Sequence, residues 1–206
     1  MMLTRLLWIP VSFFLGALPL SVWIGRLALR ADIRAYGDSN PGATNVLHAG
    51  GRGWFLLALM LDISKAAAPV GLARQVWGWD GWLMGAVAMA PLLGHAFSPF
   101  LRGRGGKAVA TTLGAWIGLT LWEVPLVSIL ALLFWFTLQD NSGWAVMLAL
   151  LSIMGYLARF NPDPLLIGVV LGQLAFMLYA QRADLRKRPS PAPFWWLKRL
   201  RRAKAQ

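Results

Sequence analysis

The residues of this chain with types and spacing suited to chemistry fall into a few short groups. The first is the polar, glycine-rich stretch Gly37-Asp38-Ser39-Asn40-Pro41-Gly42-Ala43-Thr44-Asn45-Val46-Leu47-His48-Ala49-Gly50-Gly51-Arg52-Gly53, which lies between two long apolar segments. The second is Arg102-Gly103-Arg104-Gly105-Gly106-Lys107. Glycines let successive backbone N–H groups converge on an anion, and helices starting near Trp54 and Ala108 would add their positive ends. Arg52, Arg102, Arg104 and Lys107 supply side-chain charge. The expectation is a phosphate held at a membrane surface. A purely anchoring loop would need the cations, but not Asn40, Thr44 and Asn45, nor five glycines between positions 37 and 53. Gly105-Gly106-Lys107 is not the phosphate loop of nucleotide hydrolases, because the spaced first glycine and the Ser or Thr after the lysine are missing.

Two further groups sit in apolar surroundings. Asp62 and Lys65 are three residues apart and share a helix face. Ions placed in a span are costly, so the pair should face protein or a water-filled cavity, either as a structural pair or in support of the site. His95 ends an apolar run just ahead of the second loop. There an imidazole serves proton transfer, orients a phosphate, or simply makes a structural hydrogen bond. With His48 as its only histidine companion and no cysteine, a zinc site is not expected. Disulfides and thiolate nucleophiles are excluded. No metal and no cofactor is called for.

The elements that must position these groups are membrane helices. The 206 residues are 58% hydrophobic and 14% charged, against about 25% charged in ordinary soluble domains. The net charge of +12 does not signal nucleic acid, because the cations are not on a soluble module; nine of them lie between Arg182 and Lys204, as a basic tail beside anionic lipid. Segments 6–24, 54–73 and 81–100 each have about the length needed to span. The 31 residues from Ala108 to Leu138 are too long for one crossing and should turn near Trp122-Glu123-Val124-Pro125. Segments 144–158 and 165–180 complete seven helices, a first one resembling a retained signal segment included. The expected fold is therefore an all-α polytopic membrane protein: residues 1–181 form one transmembrane domain and 182–206 a basic cytoplasmic tail. With the tail inside and the N-terminus outside, segments 25–53, 102–107 and 182–204 are cytoplasmic and hold 16 of the 20 Lys and Arg, as the positive-inside rule requires. Five helices would give the same sidedness.

Read together, the loops resemble a known family, the bacterial membrane glycerol-3-phosphate acyltransferases that use acyl phosphate, the PlsY family. Its Gly-Ser-Gly-Asn-x-Gly-Ala-Thr-Asn motif, followed by an Arg, resembles 37–45 here, with His48 at the Arg position. Its Asp-x-x-Lys signature falls on Asp62 and Lys65. Its His-x-Phe then Lys-Gly-Gly-Lys-x-Val-Ala-Thr motif falls on His95, Phe97, Arg104, Gly105, Gly106, Lys107, Val109, Ala110 and Thr111. The order and spacing match over roughly residues 12–120. Three departures stand out: Asp38 and Ser39 replace the family's Ser-Gly, His48 replaces Arg, and Gln181-Arg182-Ala183-Asp184 stands where the family has His-Arg-x-Asn. An ionised carboxylate cannot donate a hydrogen bond and repels phosphate, and His lacks the permanent charge and bidentate fork of Arg.

The resemblance implies transfer of an acyl group from acyl phosphate to the 1-hydroxyl of sn-glycerol 3-phosphate, giving lysophosphatidic acid and phosphate. It implies a site at the cytoplasmic face of a bacterial inner membrane, among membrane lipids and served by an upstream acyl-phosphate synthase. On this reading Ser39, His95 and Lys107 are catalytic. Asn40, Thr44, Asn45, His48, Arg52, Lys65, Arg104, Gly105 and Gly106 hold substrate, and Asp38, Asp62 and Arg182 support them. No nucleic acid is a partner. The base is left open between a substrate phosphate and His95. The rival readings are the same chemistry on another acceptor, a non-catalytic lipid-binding scaffold, or a transporter.

Overall fold

The computed structural model describes residues 2–191. The expected tail cations from Lys198 to Lys204 lie outside the described residues. The chain runs as α1 (Met2–Ala17), α2 (Leu20–Ala28), α3 (Ala43–His48), α4 (Arg52–Gly71), α5 (Gly81–Ala96), α6 (Val109–Thr120), α7 (Glu123–Leu138), α8 (Ser142–Phe160), α9 (Pro164–Ala180) and α10 (Arg182–Leu185). Among the described residues four helical stretches are long and apolar enough to cross a bilayer: Met2–Ala28, Arg52–Val76, Gly81–Leu101 and Ser142–Phe160. Val109–Thr120, Glu123–Leu138 and Pro164–Ala180 are shorter apolar helices. The protein is an all-helical membrane protein, as its hydropathy predicts.

Of the two prolines expected to interrupt the first span, Pro10 stays inside α1 and the break falls at Leu18-Pro19. A break frees carbonyls that must find donors. Ala17 O accepts from Ser98 Oγ at 2.6 Å and Leu18 O from Lys65 Nζ at 3.0 Å. The break is therefore bonded to residues beside the functional loops. The long run 108–138 does turn where length demands it: α6 ends at Thr120, Leu121 takes a left-handed φ of +58°, and α7 begins at Glu123. Asp80, Asn141 and Asp163 cap α5, α8 and α9 by accepting from the first backbone N–H groups.

Small residues set how closely the helices approach. A Cβ on Gly94 of α5 would collide with Phe13 O of α1, and one on Gly16 of α1 with the backbone of Pro91. Gly114 of α6 likewise meets Ile63 O of α4. The principal apolar core joins α5, α6, α8 and α9 around Trp116, Met84, Leu92, Leu157 and Met177. A smaller cluster of Val22, Ile33, Ala43, Val46 and Ala58 seats the 31–51 loop against α2 and α4. At the start of the basic segment, α10 packs back against α8 and α9, and Asn141 Nδ2 donates to Asp184 O at 2.8 Å.

Candidate active site

The packed helices bring both glycine-bearing loops and α10 together around Lys107. Its ammonium bonds Asp38 Oδ2 and Asp184 Oδ2, each at 2.7 Å. Its backbone N–H donates to Asn40 Oδ1 at 3.0 Å. Asn45 Nδ2 in turn donates to Asn40 O at 2.8 Å and Asp38 Oδ1 at 3.2 Å, fixing the first loop. Burial opposes charge on Lys107, but the hydrogen bonds and charges of Asp184 and Asp38 outweigh it and raise its pKa above 10.5. Burial likewise opposes charge on Asp38, and the bonds from Lys107, the Asn40 N–H and Asn45 outweigh it, lowering its pKa below 3.8. Both groups are ionised at neutral pH.

A cavity of about 520 Å³ opens beside this centre. Its polar lining consists of Asp38, Asn40, Thr44, Asn45, His48, Asp62, His95, Lys107, Ser142 and Gln181. The rest of its lining is apolar, from Leu59 of α4, Val109 and Leu113 of α6, Leu132 and Phe136 of α7, and Val146 of α8. A phosphate-bearing head on the polar lining with a hydrocarbon chain against the apolar one is the kind of ligand this cleft suits.

Asp62 and His95 of the polar lining belong to a buried polar chain. Lys65 Nζ pairs with Asp62 Oδ1 at 2.8 Å and meets His95 Nδ1 at 2.7 Å, and Ser21 Oγ donates to Asp62 Oδ2 at 2.5 Å. An ammonium can only donate, so His95 Nδ1 accepts and its ring proton sits on Nε2. The Nε2 edge lies against Gly106, where any Cβ would clash with it. This arrangement makes His95 a fixed post between the buried pair and the second loop.

The glycines of the second loop serve close approach rather than anion capture. Gly105 N donates to Ala96 O at 2.9 Å and Gly106 N to His95 O at 3.1 Å. The expected convergence of loop N–H groups on an anion is thus replaced by bonds to the end of α5, and the cation offered from this loop is the Lys107 side chain. The helix starts expected at Trp54 and Ala108 fall at Arg52 and Val109.

Other expected residues are distributed around the centre. Ser39 does not line the cleft; it lines a neighbouring cavity of about 420 Å³ together with Arg104, Gly105, Gly106 and Arg182, and Asp38, Asn40 and Lys107 form the wall shared by the two. Ser39 holds a φ of +62°, which a side chain adopts only at a cost of roughly 1–2 kcal/mol. Arg182 stacks on Tyr179 at 4.2 Å and donates to Tyr179 O. Arg52, on the first turn of α4, lines neither cavity. Ser21, Ser142, Gln181 and Asp184 were not expected in the site. Only Gln181 and Asp184 carried a signal, since they stand where the family pattern has His and Asn.

Fold and cleft define an integral membrane enzyme working between a polar headgroup and an acyl chain. The family model for glycerol-3-phosphate acyltransferase matches residues 6–188. Glycerol-3-phosphate acyltransferase 1 of Thermotoga maritima is 35% identical over 195 residues, covering 87% of this chain and 95% of the relative. The glycerol-3-phosphate acyltransferase of Desulfovibrio desulfuricans is 40% identical over 129 residues, 63% of this chain and 57% of the relative. Crystal structures of PlsY, an integral membrane glycerol 3-phosphate acyltransferase, match with TM-scores of 0.81 in the glycerol 3-phosphate form and 0.78 in the lysophosphatidic acid form. Their identities are 28% and 26%, and each comparison covers 89% of this chain and 90% of the other. The chain belongs to the glycerol-3-phosphate acyltransferase family and is an acyltransferase of phospholipid synthesis.

Proposed function

We propose that the chain transfers an acyl group from acyl phosphate to the 1-hydroxyl of sn-glycerol 3-phosphate, at the cytoplasmic side of a bacterial inner membrane crossed seven times. The observation that carries the reading is the cleft itself, which Lys107, Asn40, Thr44 and Asn45 line together with apolar side chains of α4, α6, α7 and α8. Relatives whose structures hold glycerol 3-phosphate and lysophosphatidic acid support the same acceptor and product here.

In the reaction the acceptor hydroxyl oxygen attacks the acyl carbonyl carbon, the carbon–oxygen bond to phosphate breaks, and the hydroxyl proton leaves with the phosphate. The donor is already activated, so no acyl-enzyme is needed. Lys107 has three N–H donors, of which Asp38 and Asp184 take two. The third offsets charge growing on the leaving phosphate. Asn40, Thr44 and Asn45 orient the acceptor. Ser39, Arg104 and Arg182 act from the adjoining cavity, on phosphate entry or release. His95, with its Nδ1 occupied by Lys65, holds the second loop in place, and the substrate phosphate is the base.

The test is the purified protein in nanodiscs supplied with palmitoyl phosphate and glycerol 3-phosphate. Lysophosphatidic acid and inorganic phosphate should appear one for one. In sealed vesicles with the N-terminus outside, external glycerol 3-phosphate should stay unused until the vesicles are opened. No product in nanodiscs defeats the donor assignment, and full use in sealed vesicles defeats the sidedness.

A further inference from the structure

A second polar cavity, of about 490 Å³, lies on the other side of the 102–107 loop and shares only Arg104 with the cavities of the candidate site. Four arginines line it, Arg26, Arg34, Arg102 and Arg104, over a wall that includes Val22, Trp23 and Phe100. Of the eight carboxylate residues of the chain, all within the described residues, Asp32 alone pairs with an arginine of this cavity. It holds Arg34 at 2.6 Å and reaches Arg26 only at 3.8 Å. The bonds from Arg34 hold the Asp32 carboxyl down at about 2 despite burial, so one negative charge stands against four positive ones. The residues beyond 191 contain no Asp or Glu and bring no counter-charge from their side chains.

Four arginines lining one cavity beside a single carboxylate leave an excess of positive charge there that favours an anion. The apolar side of the cavity says what kind of anion. Trp23 and Phe100 are 41% and 52% exposed, and Trp23 sits three residues before Arg26 near the end of the Met2–Ala28 stretch, the depth at which aromatic rings and arginines meet lipid headgroups. The left-handed φ of +55° at Arg102 is a position where glycine would cost less, yet here it carries an arginine facing this cavity.

We propose that the pocket is a binding site for the phosphate headgroup of an anionic phospholipid from the surrounding bilayer, distinct from the substrate cleft. The shared chemistry is a phosphate ester anion; the apolar wall assigns it to a lipid rather than to free phosphate. This inference does not depend on the reaction assigned above.

The test is native mass spectrometry of the purified protein in neutral detergent, titrated with dioleoyl phosphatidylglycerol, dioleoyl phosphatidylcholine or inorganic phosphate, beside the Arg26→Gln/Arg102→Gln variant. The expected result is one retained phosphatidylglycerol, little phosphatidylcholine, no displacement by phosphate, and binding at least ten-fold weaker in the variant. Equal retention of the two lipids, displacement by inorganic phosphate, or unchanged binding in the variant would each overturn the proposal. Arg26→Gln alone, at a side chain more than half exposed, should also weaken phosphatidylglycerol binding. If the double variant does not fold, unchanged binding in this single variant overturns the proposal in its place.

Discussion

At Lys107 one ammonium is shared by two carboxylates that reach it from distant parts of the chain, Asp38 from 69 residues away and Asp184 from 77. The arrangement keeps the cation charged and aimed while leaving a donor for substrate. Its pH range follows from the shifts. Asp38 is lowered below 3.8, so its contribution to stability is complete above that value and is lost as pH falls through the folded value. Lys107 is raised above 10.5, so its contribution is complete below that value and is lost as pH rises through the folded value. Asp38→Asn should therefore melt at a lower temperature than wild type by a constant interval from about pH 5 to about pH 9, and the interval should shrink below 3.8. Thermal unfolding in detergent across pH checks this; an interval that vanishes already near neutrality contradicts it. Asp38 and Lys107 were legible in the sequence as loop residues, but their pairing was not, since nothing local joins positions 38, 107 and 184. The family pattern has its hydroxyl at position 38, and Ser39 was expected to supply it from one position over, whereas the turn at +62° places Ser39 in the neighbouring cavity and leaves Asp38 lining the cleft.

Among the helices, hydropathy made the apolar segments and the turn before Glu123 readable, because lipid and core impose them on every residue of a span. The interruption at Pro19 was readable too; two features escaped the sequence, the short helix α3 inside the first loop and the packing of α10. Both are set by contacts distant in sequence, α3 by the packing of Ala43 and Val46 on Val22 and Ala58, and α10 by the bond from Asn141 to Asp184 O. Glycine use is the other element-scale lesson. Gly94 faces the backbone of Phe13, which no side-chain rotation relieves, whereas Gly155 has nothing within 4 Å of where a Cβ would sit. Gly94→Leu should destabilise by at least the ~1–3 kcal/mol of an overpacked core, and by moving α1 against α5 it should disturb the Ala17–Ser98 bond. Gly155→Leu should melt close to wild type. Equal melting temperatures for the two variants would show that α1 and α5 are not packed this closely.

On the scale of the whole molecule, the fold collects its polar chemistry at one end and leaves α7 to face lipid through Leu126, Ile129, Leu130, Leu133 and Phe134. The opposite end holds a separate cluster, in which Glu123 accepts from Tyr156 and Asn161 and Trp8, Trp77 and Trp79 stack beside Arg5. That stacking accounts for part of a tryptophan content which composition alone left unexplained. On the proposed function, an acyl chain arriving between helices meets a head from the aqueous side in this cleft, which Lys107 lines. The direct measurement is steady-state acyl transfer from palmitoyl phosphate to glycerol 3-phosphate by wild type and Lys107→Ala in the same nanodiscs. Loss of a transition-state contact predicts a turnover at least about ten-fold lower, roughly 1.4 kcal/mol, whatever happens to KM. Turnover equal to wild type, with or without a change in KM, would contradict the account.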